Sequence, residues 1–358
     1  MINRERLVNT FFELVSIDSP SGEEGAVFQE LDRRLTELGF HVQQDSYGNL
    51  IASEEGDDPL ILSAHLDTVE PGRGINPKIE GNYILSDGTT ILGGDCKAGI
   101  TAILEAIESI KEDGMARIPV QLAFTREEER GLLGAKNLDF TLVKGTQAVV
   151  FDGEGPSNHI TSGSPTYLRF DVRIKGRGAH AGVEPEKGLS AIRIAAEIVS
   201  RFPQGRLDEE TTFNVGIISG GSVRNAVPEV ASFSGEARSF EQSKLDRVKD
   251  KILAVLDEAR QLYPDAIIEE DIGYEFQSYT INAEEAVAIR VIAALSSIGL
   301  DPFLGPSGGG TDGNVFRAQG VQAVVVGMGT NAAHTVREYV EISQLTDVAR
   351  FCQALLAR

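Results

Sequence analysis

The chain has 358 residues, of which 41% are hydrophobic and 24% charged, and a net charge of −21 at pH 7. This length favours two domains over one, and the negative charge argues against nucleic acid or an anionic membrane as a partner, since phosphates would repel the protein. Two cysteines, Cys96 and Cys352, cannot build a disulfide framework, and no apolar run approaches the roughly 18 residues of a membrane span. The charged N-terminus does not resemble a signal peptide, so we expect a cytoplasmic protein.

The first 164 residues predict alternating helices and strands. Apolar residues at helical spacing are interleaved with short apolar runs that end in turn residues, which is the pattern of an α/β domain. Helices are predicted over 3–16, from a serine cap near residue 21 to Gly39, and over 99–110 and 131–138, and strands over 40–45, 49–53, 59–65, 120–125 and 147–155.

The pattern changes near residue 165. The segment LRFDVRIKG (168–176) alternates apolar and polar residues, which is typical of an antiparallel strand with one solvated face. A helix, two strands, a second helix and a last strand follow it, near 188–202, 211–218, 230–238, 242–262 and 266–272. This β-α-β-β-α-β order is the split βαβ pattern of a ferredoxin-like domain.

The α/β pattern resumes near residue 276. Helices over 283–298 and 343–357 flank a glycine-rich segment (307–314) and a strand over 322–329. We therefore predict an α/β fold with a mixed, largely parallel sheet. It would comprise a discontinuous larger domain (1–164 and 275–358) and an inserted smaller α+β domain (165–274).

Potential metal ligands follow several predicted strands of the larger domain. In chain order they are His65 with Asp67, Asp95, Glu127–Glu129, Asp152 and His334. Asp95 lies just before a helix, where backbone N–H groups favour a carboxylate. Because ligands of parallel α/β sheets bind at the carboxyl ends of the strands, these residues are expected to meet at one edge.

Two histidines, two terminal carboxylates and one shared carboxylate are the ligand set of a two-zinc site. A spare glutamate beside a ligating one would be the general base. Simpler interpretations remain: His65 and Asp67 could be a hydrogen-bonded pair at a strand end, and Glu127–Glu129 a solvated charge run. The position of the glutamates directly after an apolar strand weighs against the second.

Nine motifs resemble those of the M20 metallopeptidases, most of all the tripeptidase T branch, and occur in the family's order from about residue 16 to 350. They are HLDTV, GGDCKAG, TREEERG, FDG, GAHAG, NAVPE, GEARS, GGGTDGN and NAAHTV. The resemblance implies a zinc-exopeptidase-like catalytic domain (1–164 and 275–358) with an inserted lid or dimerisation domain (165–274). It also implies two divalent metal ions per subunit, zinc or alternatively cobalt or manganese, and a homodimer formed through the lid.

The resemblance assigns a role to each matching residue. His65 and Asp152 would bind one metal, Glu129 and His334 the other, and Asp95 both. Glu128 would be the general base and Asp67 the partner behind His65. In the lid, His180 would reach the neighbouring subunit's site and steady the carbonyl oxygen, while Asn225 and Arg238 would hold substrate. The chain departs from the family pattern at Glu127 and Arg130, which could alter substrate preference without removing a ligand.

Other motifs have weaker interpretations. Gly305–Gly309 fits the G-x-S-x-G elbow of serine hydrolases, with Asp312 and His334 following Ser307, but the preceding DPFLG is short and contains proline. The segment Gly327–Ala332 resembles the glycine-rich fingerprint of dinucleotide-binding proteins. The match is weak, because no long helix follows it directly. His41 and His159 have no acidic partner motif and are expected to be structural.

The sequence thus predicts a dizinc exopeptidase, specifically an aminopeptidase that acts on short peptides. An N-acyl amino acid deacylase would use the same site and remains an alternative. A serine hydrolase that uses Ser307 is more remote, because the segment before Ser307 is short and contains proline. A non-enzymatic peptide or metal binder is also more remote, because a binder needs no general base.

Overall fold

The structure is a computed structural model that describes residues 1–358. The chain divides into two compact units. The first contains residues 1–163, 280–307 and 311–358, and the second contains residues 164–279 and 308–310. The domain boundaries at 165 and 274 that we expected from the sequence stay a prediction. No helix is both long and apolar enough to cross a bilayer.

The N-terminal part of the first unit alternates helices and strands. Its elements are α1 (Arg4–Val15), α2 (Gly25–Leu38), β1 (His41–Gln44), β2 (Leu50–Ser53), β3 (Leu60–His65), β4 (Lys78–Glu80), β5 (Tyr83–Leu85), α3 (Gly94–Glu112), β6 (Val120–Thr125), α4 (Leu133–Lys136), β7 (Gln147–Gly153) and β8 (His159–Ser164). The predicted helix over 131–138 is therefore only one turn long.

The second unit has the elements of a split βαβ domain. They are β9 (Thr166–Lys175), β10 (Ala179–His180), α5 (Ala191–Val199), β11 (Gly205–Arg206), β12 (Thr212–Gly220), β13 (Ala226–Val227), β14 (Val230–Ser239), α6 (Gln242–Leu262) and β15 (Ile267–Phe276). Its sheet has the order β11-β12-β14-β9-β15, and all its pairs are antiparallel. The inward residues of β9, such as Phe170, pack under α5 and α6, as the alternation predicts.

The C-terminal part returns to the first unit. Its elements are β16 (Tyr279–Thr280), α7 (Ala286–Ser297), β17 (Phe303–Pro306), α8 (Asp312–Ala318), β18 (Gln322–Gly327), β19 (Thr330–Asn331), β20 (Tyr339–Glu341) and α9 (Ile342–Leu356). A four-residue strand thus does precede Ser307, although it ends in proline.

The main sheet of the first unit has the order β1-β2-β6-β3-β7-β18-β8-β16, and β17 pairs with β8. Strands β6, β3, β7 and β18 are parallel, and antiparallel strands flank them. The mixed, largely parallel sheet with a second α+β unit confirms the predicted fold class. The carboxyl ends of the four parallel strands lie along one edge, where ligands of such sheets bind.

A second sheet of the first unit, in the order β19-β20-β5-β4, was not predicted. Its strands have two or three residues each, too few for an alternation to be read from the sequence. Tyr339 of β20 lies opposite Leu85 of β5. The sheet therefore joins β5, which precedes the start of α3 and Asp95, to β19 and β20, between which His334 lies in the chain.

Candidate metal centre

His65 is the last residue of β3, and its imidazole is buried between main-chain and carboxylate oxygens. Its Nδ1 lies 2.9 Å from the carbonyl oxygen of Asp67. Because a carbonyl only accepts hydrogen bonds, Nδ1 donates to it, and Nε2 is the ring nitrogen available to bind a metal. That Nε2 lies 3.1 Å from Oδ1 of Asp95 and 3.5 Å from Oδ1 of Asp152. This ring nitrogen is therefore placed to bind a metal together with the two carboxylates.

Asp95 has one carboxylate oxygen near each of the two histidines. Its Oδ1 faces His65 at 3.1 Å, while its Oδ2 lies 3.3 Å from Nε2 of His334. The same Nε2 is 2.8 Å from Oε1 of Glu129. Asp95 therefore stands between two groups of potential ligands, one with His65 and Asp152, the other with Glu129 and His334. The ligand atoms within each group lie within 4.8 Å of one another.

Burial and mutual contacts shift the pKa values of several of these side chains. Burial raises the pKa of Asp152 to about 8 and that of Glu128 well above its usual value. Hydrogen bonds to Asp95 and Glu129 raise the pKa of His334 to about 10. Burial and the neighbouring negative charges disfavour the ionised forms of Asp152 and Glu128. Bound divalent cations would favour the ionised forms of these carboxylates, so the donor set of imidazole nitrogens and carboxylate oxygens fits them.

Asp67 organises the residues around the centre. Its buried carboxylate accepts hydrogen bonds from the backbone N–H groups of Glu128 (3.0 Å) and Glu129 (3.3 Å) and from the hydroxyl of Ser21 (2.6 Å). Its Oδ1 is 3.5 Å from Nδ1 of His65, farther than its own carbonyl oxygen. Asp67 thus fixes the turn that presents both glutamates as much as it fixes His65.

The turn after β6 separates the three consecutive glutamates. Glu127 has a left-handed φ of 50°, an uncommon conformation for a residue other than glycine. Its carboxylate accepts hydrogen bonds from the hydroxyl of Tyr47 (2.9 Å) and from the guanidinium of Arg130 (3.0 Å). Glu128 is buried and lies in one group with His65 and Glu129. The two departures from the family pattern, Glu127 and Arg130, therefore bind each other.

Sequence reasoning missed several buried polar residues next to these groups. Glu338 accepts hydrogen bonds from the backbone before Asp95, and burial raises its pKa to about 7. Lys97 is buried, with Nζ 2.6 Å from Oγ of Ser19, and burial lowers its pKa to about 8. The only sequence signals were that Lys97 belongs to the GGDCKAG motif and that Glu338 follows His334 by four residues.

Asp312 is a further buried acid that contributes to this electrostatic environment. Its Oδ2 accepts a hydrogen bond from the hydroxyl of Thr125, whereas its Oδ1 is buried without a partner. Burial raises the pKa of Asp312 to about 6, and its charge in turn raises the pKa of Glu128. Asp312 and His334 thus have partners other than each other, so the catalytic triad that Ser307 would need is not assembled.

The lid residues predicted from the sequence lie in the second unit. His180 is exposed on β10 and lies opposite Ala226 of β13, while the N–H of Ala181 donates to the carbonyl oxygen of Asn225 (3.0 Å). This two-stranded ribbon therefore carries His180 and Asn225 side by side. Arg238 of β14 donates to Glu236 (2.9 Å) and to the carbonyl oxygen of Gly308 (2.9 Å).

Comparison with known proteins supplies two family matches. Residues 163–263 match the model described as the peptidase dimerisation domain of M20 enzymes, and residues 49–158 match peptidase family M28. The second match contains His65, Asp95, Glu128, Glu129 and Asp152. The chain is 37% identical to the uncharacterized protein YqjE of Bacillus subtilis, over 99% of both chains. It is 26% identical to a peptidase T of Listeria welshimeri, over 96% of this chain and 95% of the other.

Two solved structures are similar over nearly the whole chain. Aminopeptidase PepT of Bacillus cereus is 35% identical, with a TM-score of 0.86, and a tripeptidase of Staphylococcus aureus is 34% identical, with a TM-score of 0.91. In both cases the match covers 99% of this chain and 98% of the other. The fold, the ligand cluster and these similarities define a metal-dependent peptidase. Within that class, the chain belongs to the M20 peptidases and is tripeptidase-like, which confirms the family predicted from its motifs.

Proposed function

We propose that the protein is a dizinc aminopeptidase that removes the N-terminal residue of short peptides. The observation that carries the proposal is the position of Asp95, whose two oxygens face His65 and His334 at 3.1 and 3.3 Å. A carboxylate so placed can bind two metals at once. His65 and Asp152 would complete one metal position, and Glu129 and His334 the other. The two similar structures are an aminopeptidase and a tripeptidase, which supports the choice of substrate.

The bound metals would polarise the scissile carbonyl and lower the pKa of the attacking water. Glu128 would take a proton from that water at its carboxylate and return it to the leaving amine. The two N–H bonds to Asp67 hold the backbone of Glu128 and Glu129 while this proton moves. A carboxylate whose pKa is raised by burial, as that of Glu128 is, is suited to holding such a proton.

The lid would complete the site in a homodimer. His180 would steady the carbonyl oxygen in the partner subunit's site, and Asn225 and Arg238 would help to hold the peptide. The dimerisation-domain match over 163–263 and the exposure of His180 on its ribbon support this role. A monomer would then lack His180 at its own site and turn over slowly.

The test of the metal chemistry is Glu128→Gln. We expect this variant to bind two metals per subunit by elemental analysis, as the wild type does, while the turnover of a tripeptide falls by about 100-fold or more, because the amide cannot accept the proton. Ser307→Ala is the control and should keep the wild-type rate. If Glu128→Gln kept a near-normal rate, the assignment of the base would be wrong.

The substrate is tested by a panel of tripeptides with free or acetylated N-termini and of N-acyl amino acids, on metal-reconstituted protein. We expect hydrolysis of the free tripeptides, loss of activity with a chelator, and recovery with zinc, cobalt or manganese. Preferential cleavage of the N-acyl amino acids would instead identify a deacylase with the same metal centre.

A further inference from the structure

Glu338 is a buried acid to which the proposed mechanism gives no role. It lies directly before β20 and is 1% exposed. Its carboxylate accepts three hydrogen bonds, all from backbone N–H groups: Oε2 from Leu92 and Gly93, both at 2.8 Å, and Oε1 from Asp95 at 3.0 Å. Burial of a carboxylate is costly, so three converging donors indicate a specific structural task.

The three donors belong to the segment that leads into α3 and presents Asp95. The first N–H groups of a helix have no partners within the helix, and a carboxylate is a favourable acceptor for them. Packing around this contact is tight: a Cβ added to Gly94 would lie 2.8 Å from Cγ2 of Val340 and 3.1 Å from Oε1 of Glu338. The backbone of Asp95 can therefore move little while Glu338 holds it.

Glu338 is also tied to the segment that carries His334. Its N–H donates to the carbonyl oxygen of Thr335 (3.0 Å), and the hydroxyl of Thr335 donates to the carbonyl oxygen of Ala332 (2.8 Å). The second of these bonds spans His334 and the first connects Thr335 to Glu338, which follows His334 by four residues. The segment 334–338 thus contains the proposed metal ligand His334 and also binds, through Glu338, the backbone of Asp95, the proposed shared ligand.

We propose that Glu338 is a positioning residue that holds Asp95 at a fixed place relative to His334, so that the two metal positions form together. This inference rests on the proposed metal centre. A carboxylate is required because both of its oxygens accept: in Glu338→Gln, one oxygen would become an NH₂ group that faces a backbone N–H. The change removes at least one hydrogen bond at almost constant volume, which isolates the positioning effect.

The experiment compares Glu338→Gln with Glu54→Gln and with wild type. Glu54 is the matched control, because it also accepts a backbone hydrogen bond, from Val120 (2.6 Å), and pairs with Arg117, but at the opposite end of β6 from the metal centre. Zinc affinity is measured by competition with a chelator. We expect about a 10–100-fold loss for Glu338→Gln, as is usual for residues that orient metal ligands, and less than a twofold change for Glu54→Gln.

Amide hydrogen exchange on the metal-free proteins gives a second readout that does not depend on metal binding or activity. We expect the amides of Leu92, Gly93 and Asp95 to be protected in wild type and in Glu54→Gln, and to exchange at least tenfold faster in Glu338→Gln. If Glu338→Gln does not fold, Glu338→Asp, which keeps the charge but shortens the reach, should show the same changes to a smaller degree.

The outcomes separate this inference from the proposed function. If wild type binds two metals and Glu338→Gln binds them as tightly, Glu338 only stabilises the fold and the inference is wrong. Unprotected amides at Leu92, Gly93 and Asp95 in wild type would contradict it as well. If wild type binds no metal at all, the proposed metal centre and the role of Glu338 both fail.

Discussion

At the scale of single residues, hydrogen bonds within the protein position the side chains of the candidate metal centre without the help of a metal. His65 has its tautomer set by a carbonyl oxygen, and Asp67 holds the backbone of Glu128 and Glu129. His334 has a left-handed φ of 62°, an unfavourable conformation for a non-glycine residue that is typical of functional sites. Such preorganisation keeps the ligands close although their charges repel.

Asp67 gives a graded prediction. Asp67→Ala removes the acceptor of two backbone N–H groups and of the Ser21 hydroxyl, so the turn with Glu128 and Glu129 loosens. We expect zinc affinity to fall about 10–100-fold without loss of a ligand, so that the stoichiometry at saturating metal stays at two per subunit. Ser21→Ala removes only one of these bonds and should cost less. A structure of the zinc-bound protein with Asp67 directly on a metal would contradict the assignment.

At the scale of elements, α3 links the candidate metal centre to the core. It begins at Gly94, beside Asp95, and is buried on nearly all sides, as its high content of apolar residues requires. Gly99 lies against β7, where an added Cβ would be 2.6 Å from the carbonyl oxygen of Phe151. The closeness of this helix and strand keeps Asp95 next to Asp152, because β7 also carries Asp152.

Gly99→Ala tests the packing of α3 on β7. The added methyl group has no space next to the backbone of Phe151, so we expect a loss of about 1–3 kcal/mol in the free energy of unfolding, as for other overpacked cores. Gly25→Ala in α2 is the control, because nothing lies within 4 Å of the added Cβ there. Urea denaturation of both metal-free variants measures the difference. Equal stability of the two variants would show that α3 can shift without cost.

At the scale of the whole molecule, the second unit presents two edges of its sheet that differ in chemistry. At one edge, the two-residue strand β11 covers only the start of β12, so the rest of β12 (214–220) forms the edge. This part of β12 has no charged residue, and Ile217 and Ile218 are 65% and 56% exposed. The opposite edge, β15, carries acidic residues such as Glu269 and Asp271. Charged residues protect an edge strand from pairing with another chain, whereas an apolar edge invites it. We therefore expect the proposed dimer to form through β12.

Ile218→Lys tests this edge. We expect the variant to be monomeric by sedimentation and to lose most tripeptide hydrolysis, because His180 would no longer reach a partner subunit. Ile267→Lys on β15, where the wild-type isoleucine is equally exposed at 56%, is the matched control and should remain a dimer with full activity. A monomeric Ile267→Lys with a dimeric Ile218→Lys would assign the interface to the other edge.

The sequence by itself determined the fold class, the family and the identity of the candidate ligands. These features depend on local patterns: the apolar run before His65, the alternation in β9, and motifs of a few adjacent residues around Asp95 and Glu129. Each can be read from neighbours in the chain because side-chain direction in a strand or helix is fixed by position.

Only the tertiary structure decided which groups hold the ligands in place. The hydrogen bonds that Glu338 accepts from the N–H groups of Leu92 and Asp95 span more than 240 residues, and the bond from Ser21 to Asp67 spans 46. No local pattern marks a carboxylate whose partners are distant backbone N–H groups, because every residue except proline offers the same donor. The small sheet that brings Asp95 and His334 together escaped prediction for a related reason: strands of two or three residues form only when a partner strand is already there.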